Sequence, residues 1–485
     1  MPSREQRLLR RRPLPLVVTL LAIGLFSTWA LAIARYGGPD EPGHVLRADA
    51  VADGHLLGHT VPGLVSGFRA VVAPAGIATG DPRCYRHDKR LPATCARPDP
   101  GAAGDRRVAS SAGTNPPWYY AAVGVPVRLF GDLGDAAWYR IVAAALFAGT
   151  IAIAIARARR IDAARGVLVV VGALSPVAWF LGGVVNPSSL EIALAVLAWI
   201  GVERLRVSAQ INLSALAWIG VPAGLAILIR PIAVVGVGAI LVVIWITRRG
   251  VGALVRRQWA ALLAGPAVAG AASLMWSRWS SVEVSDQRAA THSSLAHVFT
   301  EALGGTADTL HEIGGSLGWL EYSAPWPTQW AWWLAVVACG VAAWRGEGMV
   351  RTAWLFLAAF TGLFPIGFET AFADRLGYIW QGRYSIPTAV GLVIVGSSAW
   401  LPRLRGRAVT ALLAAVAVAE IATLWTALRR YTVGTNGSWF FTNARWDPPL
   451  PPFVLLAANA VLIAALMYVA TRAEPSEVSR SAPAV

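Results

Sequence analysis

The sequence predicts an all-α polytopic membrane protein with about twelve transmembrane helices and a large first extracytoplasmic loop. Three observations carry this. The 485 residues are 56% hydrophobic and only 14% charged, outside the range of a soluble domain. The apolar residues gather into runs near the length that crosses a bilayer as a helix. The arginines concentrate in short connections between alternate runs, the pattern of cytoplasmic loops. The net charge of +15 therefore reports topology and not a nucleic-acid partner.

The first run, 14–34, follows the basic stretch Arg7 to Arg12, and no small-residue cleavage site closes it. It reads as a retained helix, with residues 1–13 as a basic cytoplasmic segment. Further runs lie at 138–156, 166–185, 188–203, 212–229, 231–247, 258–277, 329–345, 352–372, 385–401, 408–427 and 451–470. Arg230-Pro231 divides one long apolar stretch in two, because proline cannot continue a helix ladder. With the N-terminus inside, the loops holding Arg157/Arg159/Arg160/Arg165, Arg204/Arg206, Arg248/Arg249/Arg256/Arg257 and Arg403/Arg405/Arg407 all fall inside. All seven histidines fall outside. The transmembrane domain then spans 14–471, with extracytoplasmic segments at 35–137, 278–328 and 428–450. The tail, 472–485, is polar and reads as disordered.

The first loop has its own features. Val45 to Leu57 has the pattern of an amphipathic interfacial helix. Residues 81–111 read as an irregular, Pro- and Gly-rich excursion holding Cys84 and Cys95, and a disulfide between these two suits an oxidising compartment. Arg429 and Arg430, at the head of the last outer segment, read as headgroup anchors.

The candidate site residues lie on this outer side. Asp40 and Glu41 are adjacent acids directly after the first run, with His44 a turn beyond. Ionisable groups at a membrane surface suit chemistry on a lipid-borne substrate. Glu191 stands inside a span, where a carboxylate needs a partner or a cavity. Arg230 and Arg383 each begin a span beside a Pro or Gly break, and Tyr384 follows. Glu321 lies late in the second outer segment. Arginine matches a phosphate through its forked donors, and a carboxylate can take the proton of an incoming hydroxyl. Together they fit transfer of a sugar from a phosphate leaving group on a lipid carrier. The sequence contains no His/Cys metal spacing, phosphate-binding glycine loop, dinucleotide motif or nucleophile elbow.

Five motifs occur in order: Pro39-Asp40-Glu41-Pro42-Gly43-His44, Asn115-Pro116-Pro117-Trp118-Tyr119-Tyr120, Asn186-Pro187-Ser188-Ser189-Leu190-Glu191, Gly318-Trp319-Leu320-Glu321 and Gln381-Gly382-Arg383-Tyr384-Ser385-Ile386-Pro387. The chain resembles a family of bacterial polytopic membrane proteins of unknown function, itself similar to the GT-C glycosyltransferases. The resemblance implies a GT-C-like fold and a polyprenyl-phosphate sugar donor. It also implies inverting transfer to an extracytoplasmic cell-wall glycan, lipid or protein. It matches Asp40 to the catalytic loop acid, with Glu41 as the alternative base, and Arg383 to the phosphate. His44, Arg230, Glu321 and Tyr384 join the substrate-binding set. Glu321 departs from the pattern, which has Asp in the Gly-Trp-Leu motif. Some GT-C members use a divalent cation and others none; Asp40-Glu41 alone makes no metal site, so a metal is left open. The alternatives are a transporter or flippase of lipid-linked glycans, which leaves the large first loop unexplained, and a non-catalytic scaffold, which leaves the acids unexplained.

Overall fold

The structure, a computed structural model, describes residues 13–60, 68–80, 82–97, 99, 101–208, 211–248, 254–280 and 294–472. The basic N-terminal stretch through Arg12, Arg249, residues 281–293 near the start of the second outer segment and the tail from 473 lie outside the described residues.

Helix α1 (Pro13–Ala32) leads to α2 (Glu41–Ala52), then strand β1 (Arg69–Pro74), the single turn α3 (Ala75–Ala78), strand β2 (Asp105–Ser110) and α4 (Pro117–Phe130). Next come α5 (Ala136–Ala158), α6 (Ala163–Ala173), α7 (Pro176–Leu181), α8 (Pro187–Val207), α9 (Leu213–Ile229), α10 (Val234–Arg248) and α11 (Arg256–Trp279). The chain closes with α12 (Leu295–Gly304), α13 (Thr306–Gly314), the hairpin β3 (Ser316–Leu317) and β4 (Tyr322–Ser323), α14 (Trp326–Arg345), α15 (Gly348–Leu376), α16 (Gly382–Ser397), α17 (Gly406–Thr432) and α18 (Pro452–Arg472).

Helices occupy all of the expected apolar runs. Among the described residues, seven are long and apolar enough to cross a membrane: Leu14–Ala32, Ala136–Ala158, Pro231–Arg248, Arg256–Trp279, Gly348–Asp374, Gly406–Thr432 and Pro452–Arg472. The other five expected runs are helical but too short or too polar to meet that measure, each for a local reason. Ser175-Pro176 cuts 166–185 into α6 and α7, with the Ser175 hydroxyl capping the second piece. Helix α8 carries Glu191, Glu203, Arg204 and Arg206. Helices α9 and α16 have 17 and 16 residues. Helix α14 opens with four tryptophans and a glutamine.

Two expectations need correction. The helix expected at 45–57 runs instead from Glu41 to Ala52, and its residues from Gly43 to Val51 are all buried. Packed by α4, α5 and the β1–β2 sheet, it is a core element and not an interfacial one. The excursion at 81–111 is only partly irregular, because β2 pairs antiparallel with β1 from Arg69↔Ser110 to Pro74↔Asp105. Cys84 is bonded to Cys95 in the stretch between these strands.

The core divides into two apolar clusters. The larger is built on α1, α5 to α8, α14 and α16 to α18. The smaller joins α2 and α4, both within the α1–α5 connection, to α5, α8 and α9. The candidate site lies where this connection meets the first turns of α8, α10 and α16.

Candidate functional site

A cavity of about 390 Å³ is lined by Asp40 and His44, by Ser111, Ala112, Asn115 and Pro116, by Asn186 to Ser188, by Ile229 to Ile232, and by Arg383 and Tyr384. These residues stand at the N-terminal ends of α2, α4, α8 and α16 and of the 3-10 turn that leads into α10. The sequence sets these starts locally. Pro117, Pro187 and Pro231 each occupy a first helical position, where the missing N–H costs nothing. Asn186 caps α8 by accepting from Ser188 N at 2.9 Å. Helix α16 begins at Gly382, where a Cβ would stand 2.4 Å from Glu312 Cβ, so only glycine lets the backbone approach. Each helix start adds partial positive charge, so the cavity favours an anion.

Asp40 takes a left-handed backbone, φ 58°, immediately before α2. Its Oδ2 accepts from Arg383 Nη2 at 2.7 Å, and its side chain is 44% exposed toward the cavity against 8% for Arg383. Burial acts to raise the Asp40 carboxyl, but Arg383 and Arg230 outweigh it and hold the group below the ordinary carboxylate range. Asp40 is therefore an anion at neutral pH. The backbone on both sides is fixed. Asn186 Nδ2 donates to Pro39 O at 2.9 Å, and Gly38 N donates to Glu41 Oε2 at 3.0 Å.

Glu41 points away from the cavity. Its side chain is 0% exposed, and it accepts from Arg140 Nε at 2.7 Å, from Arg140 Nη2 at 2.5 Å and from Val185 N at 3.0 Å. Arg140 also donates to the carbonyls of Ala30, Ile33 and Ala34, where α1 ends. Glu41 thus ties the start of α2 to α1, α5 and the turn before α8.

His44 is buried in the cavity wall, its Nδ1 2.9 Å from the Tyr120 hydroxyl. Asn115 Nδ2 donates to that hydroxyl at 2.8 Å, which leaves the Tyr120 proton for His44 Nδ1. Burial pushes the imidazole down to about 3, so His44 is neutral. Arg230 Nη1 donates to Ser188 Oγ and Glu191 Oε2, both at 2.8 Å, and its guanidinium lies 4.5 Å from the Tyr384 ring centre. Arg383 stacks on the same ring at 5.3 Å.

The structure thus brings Asp40, His44, Arg230, Arg383 and Tyr384 together and leaves Glu41 and Glu321 outside the cavity. Glu321 sits on the β3–β4 hairpin, accepting from Trp319 N at 2.5 Å and lying 3.2 Å from Arg430 Nη2; burial pushes it up to about 7. Arg430 is not a headgroup anchor, because it is fully buried and donates to the carbonyls of Leu91 and Tyr85 in the disulfide loop. Sequence reading missed Arg140 and Tyr120. Arg140 was legible as an arginine inside an apolar run, the same signal that marked Glu191.

Among the described residues no three His, Cys, Asp or Glu side chains gather as a metal site. The cavity offers one carboxylate, already paired with arginine, and this donor set does not fit a divalent cation. A second cavity of about 200 Å³, between α6, α14, α16 and α17, is walled mainly by apolar side chains.

Fold and site define a helical membrane protein with a polar, anion-favouring cavity at the ends of its helices. The chain belongs to the DUF2142 family of predicted membrane proteins, whose profile matches residues 23–392. The motif order had pointed to such an uncharacterised polytopic family. No curated protein matches the sequence. Solved structures similar to this chain include ArnT from Cupriavidus metallidurans, in the apo state and bound to undecaprenyl phosphate. Each has a TM-score of 0.47 and 15% identity, covering 94% of this chain and 75% of that one.

Proposed function

We propose that this protein is a GT-C-type glycosyltransferase that moves a sugar from a polyprenyl-phosphate donor to a hydroxyl acceptor. It acts at the extracytoplasmic face of the cytoplasmic membrane, and the acceptor is a cell-wall glycan, a lipid or a protein. One observation carries the reading: a cavity-facing carboxylate stands beside two arginines where several helix N-termini converge.

The acceptor oxygen bonds to the anomeric carbon as the bond from that carbon to the phosphate oxygen breaks. The electron pair leaves on the phosphate, and the hydroxyl proton passes to Asp40. A carboxylate with a depressed pKa suffices as base, because the hydroxyl becomes strongly acidic only as the new bond forms. Among the described residues Asp40 is the one carboxylate lining the cavity, which suits a single displacement with inversion. Arg383, Arg230 and the helix starts stabilise the departing phosphate, a preorganised electrostatic contribution. His44 and Tyr384 contact the sugar or the phosphate. Glu41 acts through Asp40 as a positioning residue, and Glu321 positions the disulfide loop through Arg430.

The test is transfer by the purified protein in lipid vesicles, with radiolabelled polyprenyl-phosphate sugars and cell-wall extract as acceptor. Transfer by the parent, lost in a folded Asp40→Asn variant, is expected. Movement of labelled lipid across the vesicle without any transfer would replace this reading with a flippase.

A further inference from the structure

We propose that Arg383 is a shared residue: it neutralises Asp40 in the free protein and is taken over by the substrate phosphate, so that Asp40 becomes a stronger base once that substrate is seated. This rests on the phosphate-site reading above and adds an order of binding to it, phosphate-bearing substrate before hydroxyl acceptor.

Three features of the pair support the exchange. Arg383 grips Asp40 by one nitrogen only, Nη2, although guanidinium and carboxylate can pair through two parallel bonds. Its Nη1 and Nε are buried and have no hydrogen-bond partner among the described residues. An arginine this under-used gains hydrogen bonds when a tetrahedral oxyanion arrives, since a phosphate can accept from two nitrogens where Asp40 now takes one. Asp40, for its part, does not follow when Arg383 turns. Its backbone is clamped through Pro39 O by Asn186 and through the buried Glu41–Arg140 pair. The carboxylate then stays facing the cavity without its counterion, which makes it a stronger proton acceptor.

Arg230 cannot play this part. It is held by Glu191 and Ser188, neither of which is a base for the reaction, and it serves as a fixed charge.

A double-mutant cycle tests the sharing. Farnesyl phosphate in detergent micelles is titrated into the parent, Asp40→Asn, Arg383→Gln and the double variant, with farnesol as the uncharged control. Asparagine tolerates the left-handed backbone at position 40, so the fold survives the change. Asp40→Asn is expected to bind about tenfold more tightly. Arg383→Gln is expected to cost about threefold in the parent but about thirtyfold once Asp40 is neutral, a coupling of about tenfold. Simple repulsion between Asp40 and the phosphate predicts the same loss in both backgrounds. Arg230→Gln should show that equal loss, and Arg383→Lys should fall between parent and Gln if folding is intact. Equal costs for Arg383→Gln in both backgrounds overturn the sharing and leave the phosphate site standing. No binding by the parent, or binding no tighter than farnesol, overturns the sharing and the phosphate reading together.

Discussion

Replacing Glu41 by Gln separates the roles of the two adjacent acids. Glu41 accepts hydrogen bonds from Arg140 Nε, Arg140 Nη2, Gly38 N and Val185 N, with both side chains of the ion pair at 4% exposure or less. Gln keeps one acceptor oxygen but removes the charge, and Arg140 is left buried without its counterion. Breaking a buried pair in this way costs about 3–5 kcal/mol. Arg140 retains the carbonyls of Ala30, Ile33 and Ala34, which places the expected loss near the lower end, about 3 kcal/mol. Denaturant unfolding of the detergent-solubilised protein reads this directly. The companion measurement is sugar transfer per folded molecule. Glu41→Gln should retain a substantial part of it, with a further loss from a less well-held Asp40. Asp40→Asn should lower transfer by about 10²- to 10⁴-fold, with a smaller loss of stability than Glu41→Gln, because Asp40 is partly exposed and asparagine can still accept from Arg383. A Glu41→Gln protein as stable as the parent but inactive, beside an active Asp40→Asn, would refute the assignment and make Glu41 the base.

Further outcomes are expected outside the membrane-spanning helices. His44 is neutral in the fold, with its imidazole pushed down to about 3 from 6.5 by burial. The unfolded chain therefore binds the extra proton first, and stability falls as pH drops below 6.5. His44→Asn should lessen that fall in acid unfolding curves, and the transfer rate should show no limb near pH 6.5. Burial raises the Asp49 carboxyl from 3.8 to about 6, with Tyr139 donating to its Oδ1 at 2.8 Å. Its contribution is favourable in acid and is lost as pH rises from about 4 to about 6. Asp49→Asn should accordingly stabilise the protein by about 1 kcal/mol at pH 7.5 and not at pH 4 in the same assay. Replacing both Cys84 and Cys95 by Ser should cost about 3 kcal/mol or less. It should also speed proteolysis between residues 85 and 91, whose carbonyls hold Arg430.

The sequence by itself determined the helical membrane architecture, because a run of apolar residues long enough for a bilayer is a local property that needs no partner. It also marked the helix starts that build the cavity. Asn186-Pro187, Arg230-Pro231 and Gln381-Gly382-Arg383 are boundary signals set by caps, proline and glycine within a few residues. It named Asp40, His44, Arg230, Arg383 and Tyr384, since charged and aromatic side chains at such boundaries stand out against an apolar background. It could not tell Asp40 from Glu41, which share every local feature. Only the tertiary structure separated them, and the reason is pairing at a distance. Glu41 meets Arg140 and Asp40 meets Arg383, partners 99 and 343 residues away. Burial of the first pair makes it a clamp, whereas exposure of Asp40 to the cavity leaves its carboxylate available. The same distance effect hid Arg430, whose partners in the disulfide loop lie 339 and 345 residues away and turn an apparent headgroup anchor into a buried tie. The β1–β2 sheet was missed for a related reason: its strands are short, and only their pairing across the intervening disulfide-bonded stretch makes them strands.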